Sequence, residues 1–209
     1  MKRILIADDH SSIRNGVKYI LGDEFHEVEF GEARNAIEVM QKINDRNWDV
    51  LILDMDLPGR NGLEVLRQLK DEKISIPVLV FSFHREEQFA IRALKAGAAG
   101  YLAKDAADSE LVKALNQIFA GRKYVSSFVS EQLIAQLENP LDREPHEFLS
   151  DREYETLLLI ASGKTVSQIA NELSLSVSTM NTYRSRILEK MGMKSNAELV
   201  RYALENKLI

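Results

Sequence analysis

The chain has 209 residues, of which 45% are hydrophobic and 28% charged, and its net charge at pH 7 is −5. This length exceeds the roughly 100–150 residues of a usual domain, so we expect two compact domains, and the composition excludes a disordered or fibrous chain. Cysteine is absent, which excludes disulfides, cysteine zinc sites and thiol nucleophiles. Apolar runs stay far shorter than the ~20 residues that cross a bilayer, so we expect a cytoplasmic protein.

The first part of the chain alternates short apolar runs with segments of helical period. Such a pattern is typical of an α/β fold with a parallel sheet built from strand–helix–strand units. Only the second run alternates apolar and polar side chains, so we expect it at an edge of the sheet. Strands are predicted at residues 3–7, 27–31, 50–53, 78–81 and 100–103, and helices at residues 12–21, 34–45, 62–72, 86–96 and 108–119.

A different composition separates this alternating region from the rest of the chain. A short helix is predicted over residues 127–137, and residues 139–145 contain two prolines among charged side chains, which is typical of a linker. We therefore predict a first domain over residues 1–121, a linker with a short helix over residues 122–147, and a second domain over residues 148–209.

The second domain is predicted to contain short helices only. Capping boxes, which satisfy the free backbone donors of a helix start, are predicted for three pairs: Ser150 with Glu153, Thr165 with Gln168, and Ser195 with Glu198. Short helices joined by tight turns indicate a helix-turn-helix unit. Its helix from about residue 177 to 191 is expected to bury Val177, Met180, Ile187, Leu188 and Met191.

Charged and hydroxyl side chains follow four of the predicted strands. Asp8 and Asp9 follow the first, Asp54 the third, Ser82 the fourth and Lys104 the fifth. Ligands of open parallel sheets bind at these carboxyl ends, and a hard cation such as Mg²⁺ would relieve the repulsion among three carboxylates. The set is equipped for phosphoryl transfer, with Asp54 as nucleophile, Lys104 neutralising phosphoryl charge and Ser82 bonding a phosphoryl oxygen.

Five motifs of the first domain stand in a characteristic order, namely Asp8-Asp9, residues 54–62, Ser82, residues 97–102 and Lys104. In these motifs residues 2–120 resemble the receiver domain of two-component response regulators. The resemblance implies a flavodoxin-like, doubly wound sheet with strand order 2-1-3-4-5. It also implies a sensor histidine kinase as the partner that supplies the phosphoryl group.

The same resemblance implies roles for individual residues of the first domain. Asp54 is the expected phosphoacceptor, and Mg²⁺ is expected to be held by Asp9, Asp54 and the backbone carbonyl of Asp56, with Asp8 assisting through water. Ser82 and Tyr101 are the expected switch pair.

Two further side chains are expected to flank the water that hydrolyses an aspartyl phosphate. They are Asp56, two positions beyond Asp54, and His84, two positions beyond Ser82. We expect both to tune autodephosphorylation, because a positioned carboxylate or imidazole can orient an attacking water.

The second domain resembles the LuxR-type helix-turn-helix output domain in residues 149–153, 169–173, 176–180 and 199–204. The resemblance implies that the helix from about residue 177 to 191 enters the major groove of DNA. Amide and hydroxyl groups of Asn181, Thr182 and Ser185 are expected at base edges. The basic side chains expected at phosphates are Arg184, Arg186 and Lys190.

Both resemblances together imply a transcriptional response regulator of the NarL/FixJ type. Such a protein is not a turnover enzyme, and it is expected to bind double-stranded promoter DNA as a homodimer when phosphorylated. Two alternatives stay open. Residues 54–56 also satisfy the Asp-x-Asp motif of haloacid dehalogenase-like phosphatases, although that family places the motif on its first strand. The other alternative is a DNA-binding protein with a vestigial receiver, which the intact acidic residues disfavour.

Overall fold

The structure is a computed structural model that describes residues 1–58, 60–106, 108–138 and 144–209. Contacts divide the chain into two compact units, Met1–Ala135 and Gln136–Ile209. Residues 139–143 of the predicted linker lie outside the described residues, as does Gly59 in the motif after Asp54. Among the described residues, no helix combines the length and apolar composition needed to cross a bilayer.

In the described residues the first unit is an α/β structure with five strands, five whole helices and most of a sixth. The strands are β1 (Lys2–Ala7), β2 (Val28–Ala33), β3 (Val50–Leu53), β4 (Val78–Ser82) and β5 (Gly100–Ala103). The helices are α1 (Ser11–Glu24), α2 (Ala36–Asp45), α3 (Gly62–Asp71), α4 (Glu86–Ala96), α5 (Asp108–Phe119) and α6 (Ser127–Glu138). All strand pairs are parallel, in the order β2-β1-β3-β4-β5, which confirms the predicted fold and the edge position of β2.

Apolar side chains cover both faces of this sheet. Ile4 and Ile6 of β1 pack with Val17 and Leu21 of α1 in a cluster that also includes α5. Because successive side chains of a strand point to opposite faces, Leu5 of β1 is buried on the other side. The central strands are continuously apolar because both of their faces are covered.

Strand β2 is longer than its apolar pattern predicts. Its pairing with β1 continues through Ile6 opposite Glu32 and Ala7 opposite Ala33. Main-chain hydrogen bonds hold these residues in the sheet and do not depend on the type of side chain. An edge strand also tolerates a charged side chain such as that of Glu32. Glu32 therefore stands at the carboxyl end of the sheet, beside the start of α1.

From residue 144 onward, where the structure describes the second unit without a gap, a short 3-10 helix (Pro145–Phe148) is followed by four helices. These are α7 (Asp151–Ala161), α8 (Val166–Glu172), α9 (Val177–Lys190) and α10 (Asn196–Glu205). Helix α7 contacts each of the other three, and α8 contacts α9. This arrangement is the predicted helix-turn-helix unit.

Two of the three predicted capping boxes are present, at the starts of α7 and α8. The third is incomplete, because the carboxylate of Glu198 accepts the N–H of Lys194 and not that of the N-cap Ser195. The prediction that Val177 is buried is also wrong, since the residue is 48% exposed. Val177 is the first residue of α9, and its side chain leans toward the helix start, where no earlier turn covers it.

Gly62, at the start of α3, has no room for a side chain. A Cβ atom there would lie 2.6 Å from the carbonyl oxygen of Asp54, whereas one at Gly16, in the exposed part of α1, would meet no atom within 4 Å. We predict that Gly62→Ala lowers the free energy of unfolding of the first unit by about 1–3 kcal/mol, through this overpacking. Urea denaturation monitored by the fluorescence of Trp48, the single tryptophan of the chain, measures the change.

Gly16→Ala is the matched control. It should raise the free energy of unfolding by about 0.5–1 kcal/mol, because alanine favours a helix interior over glycine. Equal stability of wild type and Gly62→Ala would show that the backbone beside Asp54 is not tightly packed.

Candidate functional site

Four neighbouring strands end at one edge of the sheet and carry polar side chains there. Main-chain pairing continues one residue past three of them. The N–H of Asp8 donates to the last carbonyl of β2 (3.1 Å), and that of Asp54 to the last carbonyl of β1 (2.8 Å). Ser82 ends β4, and the N–H of Lys104, just after β5, donates to its carbonyl (2.8 Å). The sheet itself therefore brings these predicted site residues together.

Lys104 lies between two carboxylates at this edge. Its Nζ atom is 2.6 Å from Oδ2 of Asp8 and 2.7 Å from Oδ2 of Asp54, and the three side chains are at most 3% exposed. Burial raises the pKa of the Asp54 carboxyl above its ordinary value, although Lys104 opposes this. Oδ1 of Asp54 is buried without a hydrogen-bond partner among the described residues. The group thus combines two carboxylates with one ammonium.

Asp9 lies at the outer side of this group, with its side chain 35% exposed. Its Oδ1 is 2.6 Å from Nδ1 of His10, while the backbone N–H of His10 donates to Oδ1 of Asp8 (2.8 Å). The candidate ligand atoms of these three residues lie within 4.8 Å of one another. The sequence analysis did not predict His10 as a site residue, because this histidine has no metal-site spacing to another histidine. The sequence feature that could have indicated it is its position directly after the acidic pair Asp8-Asp9.

Ser82 and Tyr101 both contact the backbone of His84. The fully buried hydroxyl oxygen of Ser82 accepts the N–H of His84 (3.2 Å), and the hydroxyl of Tyr101 donates to the carbonyl of His84 (2.8 Å). The ring of Tyr101 is buried, and this burial raises the pKa of its hydroxyl. One backbone segment therefore connects the two residues predicted to form the switch pair.

Asp56 and His84 contact each other through their side chains. Nε2 of His84 is 2.9 Å from Oδ1 of Asp56, although 28 positions separate them in the chain. The sequence suggested two independent side chains near the phosphoryl site, and the structure joins them in one hydrogen bond.

The predicted base-reading residues of α9 lie on its accessible face. Asn181, Thr182 and Ser185 are exposed, and so is Arg186. The side chain of Ser176 accepts the N–H of Thr179 and caps the start of the helix. Amide, hydroxyl and guanidinium groups are therefore presented together along one helix.

Two basic residues of α9 also bind groups within their own unit. Nε of Arg184 donates to Oδ1 of Asn196 (2.6 Å), and Nζ of Lys190 to Oε2 of Glu153 (2.6 Å). Glu153 is 3% exposed in its side chain; burial opposes its ionisation, but hydrogen bonds from Lys190 and Ser150 lower its pKa. These contacts hold α9 against α7 and α10, a role that the sequence did not reveal.

Comparison with protein families defines the class of the chain. The response regulator receiver domain family matches residues 4–116, and the bacterial regulatory proteins of the luxR family match residues 147–203. The chain belongs to the response regulators and is of the NarL/FixJ type. The predicted class is thereby confirmed: a transcriptional regulator of a two-component system, with a receiver served by a histidine kinase and a LuxR-type DNA-binding domain.

Similar proteins match the chain over its whole length. Response regulator GacA of Pseudomonas viridiflava is 35% identical over 210 residues, covering 100% of this chain and 98% of that protein. Response regulator UvrY of Escherichia coli (strain K12) is 32% identical, covering 100% of this chain and 96% of its own.

Solved structures of the response regulator RcsB are similar as well. RcsB of Salmonella typhimurium has a TM-score of 0.61 at 25% identity, covering 97% of this chain and 98% of that one. RcsB bound to promoter P1flhDC in the presence of the phosphomimetic BeF3⁻ has a TM-score of 0.60 at 25% identity, covering 96% and 97%.

Proposed function

We propose that a sensor histidine kinase transfers a phosphoryl group to Oδ1 of Asp54 and that the phosphorylated chain binds promoter DNA as a homodimer. One observation supports Asp54 above the other carboxylates. Lys104 binds its Oδ2, while its Oδ1 is buried without a partner among the described residues. The bond from Oδ1 to phosphorus forms as the bond from phosphorus to the kinase histidine breaks, and that nitrogen keeps the electron pair.

The residues around Asp54 suit Mg²⁺ as a cofactor. Oxygen donors are the ligands this cation prefers, and one lysine leaves negative charge uncompensated on Asp8, Asp9 and Asp54. We propose that Asp9, Asp54 and the carbonyl of Asp56 would hold the cation, with Asp8 assisting through water. When bound, Mg²⁺ would supply positive charge to phosphoryl oxygens, and Lys104 adds its own.

The switch is proposed to act through the backbone of His84. If the Ser82 hydroxyl turns toward a phosphoryl oxygen, the N–H of His84 loses its acceptor. The carbonyl of the same residue holds the Tyr101 hydroxyl, so a shift of this backbone segment changes the position of the aromatic ring. Both hydrogen bonds are made by the backbone of one residue, and this shared residue couples the two side chains.

We propose that α9 reads DNA with the accessible residues described above. Asn181, Thr182 and Ser185 meet base edges, and Arg186 meets phosphate. Arg184 and Lys190 each donate one hydrogen bond to a residue of their own unit. A guanidinium carries five N–H groups and an ammonium three, so each side chain has further donors for a phosphate.

The domains are proposed as a receiver over residues 1–121, a linker over residues 122–147 and a DNA-binding domain over residues 148–209, acting in the cytoplasm. A haloacid dehalogenase-like phosphatase is disfavoured, because Asp54 follows β3 and not β1. A phosphorylation-independent regulator is disfavoured because the acidic residues and Lys104 remain assembled.

We predict that Asp54→Asn abolishes phosphorylation and leaves the fold intact. The amide lacks the nucleophilic oxygen, whereas an exposed carboxylate such as Asp23 on α1 takes no part, so Asp23→Asn should behave as wild type. Intact mass measured after incubation with the cognate sensor histidine kinase, ATP and Mg²⁺, with the wild-type chain as the positive control, decides the point. A phosphorylated Asp54→Asn protein would contradict the assignment.

The side chains of Asp56 and His84 are predicted to control autodephosphorylation together. Asp56→Ala and His84→Ala should each change the decay rate of the phosphoprotein several-fold, and the double variant should change it no further, because the two groups share one hydrogen bond. Mg²⁺ affinity should stay nearly constant, since Asp56 would bind the cation through its carbonyl. Decay rates equal to wild type in both single variants would show that these side chains do not affect autodephosphorylation. Additive effects in the double variant would show that the two side chains act independently.

Base and phosphate contacts of α9 are predicted to respond differently to mutation. Arg186→Ala should weaken binding to all sequences and reduce the slope of log K against log salt by about 1. Asn181→Ala should change which DNA sequences are selected from a random library. The lost preference for the contacted base should be about 1–3 kcal/mol. Lys70→Ala on α3, with the same charge change outside the second unit, is the control. Equal non-specific losses in both α9 variants would show that Asn181 does not contact a base.

A further inference from the structure

Arg14 of α1 is buried beside the acidic pair although it carries a full charge. Its side chain is 5% exposed. Nη1 donates to the carbonyl oxygens of both Asp8 (2.8 Å) and Asp9 (3.2 Å), and Nε donates to Oε2 of Glu32 (2.6 Å). A buried guanidinium is stable only with acceptors for its donors, and here two of them are backbone carbonyls of the candidate metal ligands.

Glu32 anchors this arrangement to the sheet. It is part of β2, paired opposite Ile6 of β1, so its backbone is fixed by main-chain hydrogen bonds. Its other carboxylate oxygen, Oε1, accepts from Nζ of Lys18 (2.6 Å). Hydrogen bonds from Lys18 and Arg14 lower the pKa of Glu32, which keeps it anionic near neutral pH. Arg14 is therefore held from one side by the sheet edge.

The carbonyls that Arg14 binds belong to the segment where the chain leaves β1 and enters α1. The backbone N–H of Arg14 also donates to the carbonyl of His10 (3.3 Å). Three successive carbonyls, those of residues 8, 9 and 10, thus contact one residue. Their orientation determines where the Cα–Cβ bonds of Asp8 and Asp9 point, and so where the two carboxylates lie.

We propose that Arg14, anchored by Glu32, is a positioning residue that holds the carboxylates of Asp8 and Asp9 in the geometry that binds a divalent cation. The inference rests on the proposed function of the acidic site. Groups that orient metal ligands from behind typically contribute 10–100-fold to metal affinity. Loss of Arg14 leaves the carbonyls without their donor and frees the peptide between the two aspartates to rotate.

Lys18 provides a matched control for a purely structural role. Both Arg14 and Lys18 lie on α1 and both bind Glu32, so either substitution breaks an ion pair between α1 and β2. Only Arg14, of these two, contacts the carbonyls of Asp8 and Asp9. A role in packing alone would give both variants the same metal affinity.

The test is a titration of the full-length chain with Mn²⁺, followed by the electron paramagnetic resonance of the free ion, with Mg²⁺ as competitor. Mn²⁺ accepts the same oxygen ligands as Mg²⁺. We expect Arg14→Met to raise the dissociation constants of both ions by about 10-fold, and Lys18→Met to leave them unchanged. Urea denaturation without metal checks that both variants are folded.

Arg14→Lys keeps the charge but loses the fork that reaches Glu32 and the carbonyls together, so it should raise the dissociation constants several-fold. This variant decides the matter if Arg14→Met does not fold. The positioning role would be overturned if Arg14→Lys and Arg14→Met bound Mn²⁺ and Mg²⁺ as tightly as the wild type, or if Lys18→Met lost as much affinity as Arg14→Met. Neither result would contradict the metal site itself. A wild-type chain that binds neither ion would instead refute the metal site itself, and this inference with it.

Discussion

The ammonium of Lys104 between the carboxylates of Asp8 and Asp54 is the interaction on which the candidate site depends. Two carboxylates side by side in a buried place repel each other, and each loses its hydration. One lysine offsets part of this cost, yet burial still raises the pKa of Asp54. Such a group adds little to the stability of the fold, and buried carboxylates with a shifted pKa are typical of functional sites. The remaining negative charge is the reason why we propose a cation at this site.

The sheet order explains why this group can exist. Strands β1, β3, β4 and β5 are neighbours, so the residues at their carboxyl ends meet at one edge although they are far apart in sequence. The edge strand β2 contributes Glu32, which holds Arg14 behind the acidic pair. In the second unit, Lys190 and Arg184 hold α9 against its neighbouring helices through hydrogen bonds. The exposed face of the same helix carries Asn181 and Arg186.

Much of the fold was predictable, because short apolar runs and helix-capping residues determine structure locally. That Asp54 and Lys104 lie at the same edge of the sheet was predictable as well, since each needs only to stand at the carboxyl end of its strand. Pairings such as Arg14 with Glu32 or Asp56 with His84 were not, because they depend on helix packing and side-chain rotamers across 18 and 28 positions. Val177 was mispredicted because periodicity describes a helix interior better than its first residue.

Chemical trapping of the phosphorylated residue shows whether Asp54 is the phosphoacceptor. Borohydride reduces an aspartyl phosphate to homoserine, and peptide mass spectrometry of the wild-type chain then locates the converted position. We expect homoserine at position 54 alone, because among the described residues only this buried carboxylate has a lysine on one oxygen and no hydrogen-bond partner on the other. Homoserine at position 8, 9 or 56, with Asp54 unconverted, would contradict it.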